Sequence, residues 1–251
     1  MIELNHIYNE DCLQTMARME DESVDMILQD PPYGITACKW DKPINLEIFW
    51  SEWKRIIKPH GAIVMTASQP FTSALVMSNS DMFKYEWIWD KALSTGHLNS
   101  KIIPLKRHEN ILIFGIEKLR YNPVMKKRNK QRINKSNGRE FHGDGLHTYG
   151  KFKSIDATYN ERFPTSILEI SNANKHNILH PTQKPVALFE YLIRTYTNEG
   201  NLVFDGFMGS GTTAVACIKL NRNFIGSEIS PDYCTIANKR LEPYLAQGSL
   251  V

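Results

Sequence analysis

The stretch Ser23–Gly34, SVDMILQDPPYG, decides the fold. Its first seven residues, SVDMILQ, read as a buried strand. Two adjacent prolines cannot continue that strand, because neither supplies an N–H to the ladder. Asp30 therefore stands where a strand stops and a rigid turn begins. In an open α/β sheet, ligands bind beyond the carboxyl ends of the strands.

Similar apolar runs lie at residues 6–9 (HIYN), 61–67 (GAIVMTA), 85–91 (YEWIWDK), 110–115 (NILIFG), 201–205 (NLVFD) and 223–228 (NFIGSE). Helical patterns separate several of them: DCLQTMARM, NLEIFWSEWKRIIK, QPFTSALVMSN, PVALFEYLIRTYT and TTAVACIKL. Alternation of this kind predicts an α/β protein with a mostly parallel sheet. The runs at 85–91 and 110–115 have no crossover helix between them and are expected to pair as an antiparallel hairpin at one edge. Gly61, after IIKPH, reads as a helix stop.

A chain of 251 residues, 42% hydrophobic, can bury one sizeable core or one core and a small lobe. The formal charge of +3 permits a nucleic-acid partner without requiring one. No segment reads as a signal peptide or membrane span. Cys12, Cys38, Cys217 and Cys234 are scattered, with no C-x-x-C, which fits a reduced, cytoplasmic setting and no metal.

Residues 118–175 break the pattern. Residues 118–139 (KLRYNPVMKKRNKQRINKSNGR) carry many cations and no acid, and FHGDGLHTYGKFKS follows. Charge runs are usually solvated loops, but so long an insert in a compact α/β protein is more often functional. Phosphate neutralisation is the natural use of Lys126, Lys127, Arg128, Lys130 and Arg132. His142 and His147 lack the companion carboxylates or cysteines of a metal site.

A second stretch, Leu202–Thr213 (LVFDGFMGSGTT), runs from a strand through a glycine turn into a helix. Glycines let backbone approach a ligand, and a helix N-terminus faces an anionic group. Gly206–Thr213 matches the phosphate loop G-x-x-x-x-G-K-[ST] except that Thr212 replaces the lysine. That lysine serves the β- and γ-phosphates, so its absence argues against ATP or GTP. A nucleoside without a phosphate chain, such as S-adenosylmethionine (SAM), needs no such cation but does need a partner for its ribose. Glu228, ending the next strand, can accept from both ribose hydroxyls; its other reading is a charge at the start of the following helix.

Together, DPPYG (Asp30–Gly34), HPTQKP (His180–Pro185) and FMGSGTT (Phe207–Thr213) resemble the SAM-dependent DNA amino-methyltransferases. Their order is that of the β class: catalytic motif, target-recognition region, SAM loop. The likeness covers nearly the whole chain outside 118–175. It implies a circularly permuted Rossmann-like methyltransferase with a seven-stranded, mostly parallel sheet. Residues 1–117 and 176–251 would form the core, and 118–175 an inserted target-recognition region. It implies SAM as cofactor, held by Asp205, Phe207, Gly209, Ser210, Gly211 and Thr212, with Glu228 at the ribose. Asp11, with Cys12 beside it, would meet the adenine, and Lys184 the methionine carboxylate. The family's common loop has proline after the aspartate; Gly206 stands there, which bears on the rigidity of the turn.

The resemblance also implies catalysis by Asp30, Pro31, Pro32 and Tyr33. The exocyclic amine of adenine is a poor nucleophile, because its lone pair is delocalised into the ring. The Asp30 carboxylate and the Pro31 carbonyl can each accept one N–H and leave a lone pair aimed at the methyl donor. The prolines fix both acceptors in advance. Tyr33 offers a ring face to a base flipped from the duplex. Transfer is then a direct in-line displacement, and the chain lacks the Pro-Cys dipeptide of cytosine-C5 enzymes. Members that make N4-methylcytosine more often carry Ser in place of Asp30, so N6-methyladenine is the expected product. DPPYG also fits a capped turn with Tyr33 in the core. Lys39 and Trp40 have two readings: contact with substrate or DNA, and packing of Trp40 under the next helix. The expected partners are double-stranded DNA, a second copy of the chain, and a cognate restriction endonuclease. Two rivals are a nucleotide-driven P-loop protein and a non-catalytic DNA-binding module that keeps a methyltransferase shell.

Overall fold

A computed structural model describes residues 2–34, 44–135, 140–141, 152–153, 156–172 and 183–248. Lys39, Trp40, His142 and His147 lie outside these residues. The chain divides into two compact units, one of Met1–Asn122 with Ser166–Val251, the other Pro123–Thr165.

The larger unit is built on one sheet. Its strands are β1 (His6–Tyr8), β2 (Val24–Gln29), β3 (Ile57–Ala67), β4 (Phe83–Thr95) and β5 (Lys106–Phe114), then, after four strands of the chain, β10 (Ile167–Glu169), β11 (Leu202–Asp205) and β12 (Asn223–Ser227). Their spatial order is β1-β12-β11-β2-β3-β5-β4-β10. Pairings from β1 through β3 are parallel; β5 runs antiparallel to both β3 and β4. The mostly parallel sheet and the antiparallel β4–β5 pair are as the sequence predicts, but the pair does not form the edge, because β10 lies outside β4. The eighth strand, β10, pairs parallel to β4 and lies inside the interval read as non-core. Three residues in a polar stretch are too few to show a strand period.

The chain explains the layers. Alternate residues of the apolar strands enter two different cores. Met26, Leu28, Val64, Val203 and Phe224 meet Leu188, Leu192, Val215, Ala237 and Leu241 of α4 (Val186–Tyr196), α5 (Thr212–Lys219) and α6 (Pro231–Gly248). Ile27, Ile63, Met65, Phe204 and Ile225 meet Met16, Phe49, Trp53 and Leu75 of α1 (Cys12–Ala17), α2 (Leu46–Ile56) and α3 (Phe71–Ser78). Burial on both faces is why these strands read as unbroken apolar runs. From β11 the chain passes to β12 on one side, while β2 on the other side leads to β3. The carboxyl ends of β11 and β2, with Phe204 opposite Ile27, therefore flank the switch point.

Gly61 does not stop a helix. α2 ends at Ile56, and Gly61 lies within β3, where the register jumps from Val24 opposite Ile57 to Met26 opposite Ala62. A Cβ at Gly61 would sit 2.7 Å from Ile57 Cδ1 and 2.9 Å from the Asp25 carbonyl oxygen. The irregular segment can rejoin the ladder because no side chain fills that space.

In the smaller unit, β6 (Lys126–Asn134) pairs antiparallel with β9 (Ala157–Arg162), and β7 (Glu140–Phe141) with β8 (Phe152–Lys153). The basic run is thus a strand rather than a loop. Lys126, Lys127, Lys130 and Arg132 are exposed, and half-buried Arg128 donates to the Glu161 carbonyl at 3.1 Å.

Gly61→Ala is expected to destabilise the protein by about 1–3 kcal/mol through overpacking of this bend, measured by urea unfolding.

Candidate active site

Asp205 ends β11 and Asp30 follows β2, so both carboxylates stand at the switch point. Both line one cavity of about 450 Å³. Asp11, Cys12, Pro32, Lys184, Phe207, Gly209, Ser210, Thr212 and Glu228 line it as well. Pro31, Tyr33 and Gly211 do not. Pro31 is buried, and Gly211 is the αL N-cap of α5, where a Cβ would lie 3.1 Å from Ala237 Cβ.

The glycine turn is held by its own hydrogen bonds. The Phe207 N–H donates to Asp205 at 2.9 Å, Met208 N–H to the Ser227 carbonyl, Gly209 N–H to Glu228 at 2.7 Å and Gly211 N–H to the Met208 carbonyl. Arg240 on α6 donates to the Ser210 carbonyl at 2.9 Å. Gly206, in the place of the family's proline, lies over α1. A Cβ there would meet Cys12 Cβ at 2.9 Å. The turn is therefore fixed by neighbours instead of by a pyrrolidine ring.

Three acids shape the polarity. Burial pushes the Asp205 carboxyl up to about 7, against hydrogen bonds from Thr213 and the Phe207 N–H; Asp30 and Glu228 nearby push in the same direction as burial. Burial also raises Glu228, although its oxygens accept from the backbone of Gly209 and Ser230. Asp11 caps α1, accepting from Leu13 N–H at 2.8 Å. Burial pushes the Cys12 thiol up to about 12, so this cysteine is a neutral apolar surface. Phe207 stacks with Phe49, ring centroids 5.8 Å apart, beside Ile44.

Asp30 is gripped from three sides. Lys184 Nζ donates to both carboxylate oxygens at 2.8 Å. Tyr33 OH donates to Oδ1 at 2.7 Å, and Thr66 on β3 donates to the same oxygen. Burial alone would raise the Asp30 carboxyl; the Lys184 charge and these hydrogen bonds outweigh it and hold the group below the usual carboxylate range. Tyr33 stacks on Phe71, with centroids 5.4 Å apart, and Lys184 Nζ lies 5.7 Å from its ring centroid. Lys184, read from sequence as a partner for the cofactor's carboxylate, instead spends its close contacts on Asp30 and Glu109, the latter at 3.4 Å.

Sequence reasoning missed Thr66, Glu109, Phe49, Ile44, Gln183 and Tyr233. Ile44, Phe49, Gln183 and Tyr233 line the cavity, whereas Thr66 donates to Asp30 and Glu109 pairs with Lys184. Gln183 belongs to the quoted HPTQKP motif and was the one with a signal. Phe49 and Tyr233 look like ordinary helix residues. Among the described residues no group of His, Cys, Asp and Glu could hold a metal.

Residues 24–239 match the family described as DNA methylase, N6_N4_Mtase. Type II methyltransferase M.HpaI of Haemophilus parainfluenzae is 28% identical over 246 residues, covering 92% of this chain and 72% of that protein. DNA adenine methyltransferase YhdJ of Escherichia coli (strain K12) is 25% identical over 266 residues, covering 96% and 83%. Among solved structures, the M1.HpyAVI–SAM complex has a TM-score of 0.62 at 26% identity, covering 96% of this chain and 99% of that one.

An acid raised from its ordinary value near 3.9 to about 7 binds its proton more tightly when folded. Its contribution to stability is greatest below pH ~4 and is lost as pH rises to about 7. Urea midpoints of the ligand-free protein between pH 4 and 8 should therefore carry a declining component that Asp205→Asn removes. An unchanged slope in the variant would assign the decline to another group.

Proposed function

The chain belongs to the DNA methylase family, and on that premise we propose that it methylates the N6 amine of adenine in double-stranded DNA. Its cofactor is S-adenosylmethionine. The observation that carries the reading is that Asp30, oriented by Tyr33 and Thr66, lines the same cavity as Asp205 and Glu228.

The donor set suits the cofactor. Ionised Asp205 suits an α-ammonium, the first turn of α5 an α-carboxylate, and Glu228 a ribose diol. Phe49, Phe207 and Ile44 suit a purine face, with Asp11 as acceptor for its amine. The volume of about 450 Å³ falls in the range of small-molecule sites. When bound, SAM supplies an electrophilic methyl on a sulfonium and departs as the neutral thioether.

The chain's own part is to shape and drain the amine. Asp30 accepts one N–H from inside the cavity, and the Pro31 carbonyl, next along the chain but outside the cavity lining, is read as the acceptor of the other; together they draw the nitrogen toward a tetrahedral form and free its lone pair. Thr66 and Tyr33 fix the carboxylate before substrate arrives, so little reorganisation is left to the reaction. After transfer the nitrogen holds one proton too many, and it passes to the Asp30 carboxylate. A carboxylate held this low is a weak base, but the protonated product amine is a far stronger acid.

Adenine is favoured over cytosine by the aspartate at position 30 and by the name of the YhdJ relative. The exposed cations of β6 are read as phosphate contacts, and Lys39 and Trp40 as further contacts near the substrate. No helix of the described residues is long and apolar enough to cross a membrane. A cytoplasmic enzyme, a homodimer and a companion restriction endonuclease complete the proposal; sedimentation velocity tests the dimer.

Mass spectrometry of nucleosides from DNA treated with protein and SAM should yield N6-methyladenine, and N4-methylcytosine alone would refute the base assignment. Asp30→Ala should abolish product while SAM affinity persists. Neutralising Lys126, Lys127, Arg128, Lys130 and Arg132 together should flatten the dependence of DNA binding on salt, by about 0.9 in log–log slope for each phosphate no longer neutralised. An unaltered slope would remove β6 from the interface.

A further inference from the structure

Lys184 occupies the acceptor atoms that the reaction needs. Its nitrogen sits 2.8 Å from each oxygen of Asp30, where it competes with an incoming amino nitrogen for the carboxylate. Lys184 is buried, its side chain 9% exposed, whereas Asp30 is half-buried, with 21% of its side chain open to the cavity side. While the contact lasts, the ammonium takes one acceptor site on each oxygen, beside Tyr33 and Thr66 on Oδ1, and draws electron density from both, which weakens Asp30 as an acceptor for an uncharged amine.

A second resting place lies beside it. Glu109 on β5 holds Oε2 at 3.4 Å from Lys184 Nζ, and that buried oxygen makes no hydrogen bond. Its other oxygen pairs with Lys91 of β4, a residue 7% exposed. Asp30, Lys184, Glu109 and Lys91 thus form a chain of alternating charge, its two lysines buried and its two acids half-buried, whose members come from the β2 turn, the lead into α4, β5 and β4. The outer pair anchors the carboxylate. The inner lysine is shared unevenly, with two short contacts to Asp30 and one long contact to Glu109. A shift of about 0.6 Å (the difference between 3.4 and 2.8 Å) would bring it to full hydrogen-bond distance from Glu109.

We propose that Glu109 is a positioning residue that receives the Lys184 ammonium when the substrate amine displaces it from Asp30. In the free protein Lys184 stands in for the substrate nitrogen and keeps Asp30 ionised and correctly aimed. On docking, the amine takes the inner face of the carboxylate and the ammonium retreats onto Glu109. No proton changes hands in this exchange, and the four-residue chain stays neutral. Lys91 prevents Glu109 from swinging away with its guest. The inference rests on the reading of the site as an amino-methyltransferase centre.

The test compares Glu109→Gln with the unaltered protein, using unmethylated genomic DNA and SAM carrying a labelled methyl group. The amide cannot draw off the ammonium, so kcat should fall about tenfold or more while SAM affinity and KM for DNA stay within about twofold. In a Lys184→Gln background, where there is no ammonium to relocate, Glu109→Gln should have no further effect on kcat. Because Glu109→Gln leaves Lys91 buried without its partner, the pair Lys91→Met with Glu109→Gln is made alongside, and the same fall in kcat is expected from it. Equal losses with and without Lys184 would make Glu109 a packing support and overturn the inference, as would undiminished kcat in either form. An unaltered protein that methylates no DNA would overturn the proposed function and this inference with it.

Discussion

One half-buried carboxylate, held by a buried lysine, joins distant parts of this chain. Asp30 is reached by Tyr33 three residues away, by Thr66 from the neighbouring strand, and by Lys184 from a segment 154 residues downstream. The partners come from the turn after β2, from β3 itself and from the segment leading into α4. Removing a partner from such a group is costly, because a buried charge would be left without compensation. The DPPY turn, residues 183–185 and the glycine loop are thereby held in one arrangement. The Thr212 hydroxyl, 3.5 Å from the Lys184 carbonyl, and Ser210, 3.3 Å from Gln183, extend that link to the cofactor side.

The sheet was legible because its strands are buried on both faces. Runs such as MIL and AIVM have no polar alternation to confuse them, and the glycine and proline punctuation marks their ends. Where burial is one-sided or the strand short, the signal fails. β10 has only three residues, one of them buried. The start of β3, Ile57–His60, carries a proline and a histidine and reads as the end of a helix, yet a register jump accommodates it. The basic strand β6 has no apolar face, so composition suggested a loop.

The site was legible by type more than by partnership. A carboxylate before two prolines and an acid after a strand mark positions at the sheet edge, and both line the cavity. What periodicity cannot show is which distant side chain meets which. Lys184 and Asp30 lie far apart in sequence, and nothing in HPTQKP reveals that its lysine turns toward a protein carboxylate. Thr66, near the end of β3, and Glu109, within β5, look like ordinary polar strand residues. The glycine at 206 shows the reverse case: its departure from the family pattern is explained only by the Cys12 side chain packed against it.

The permuted order of the sheet also governs when the protein can become itself during synthesis. β1 has a single neighbour, β12, so it leaves the ribosome with nothing to pair with until residues 223–227 follow. At ordinary translation rates of 5–20 residues per second, that interval is roughly 10–40 s. The central strands β2, β3, β4 and β5 can associate in the meantime, whereas the walls built from Asp11, Asp205 and Glu228 meet only once β12 has emerged. A nascent polypeptide short of that point is thus unable to bind its cofactor, and a truncation that removes β12 leaves β1 without a place in the sheet as well.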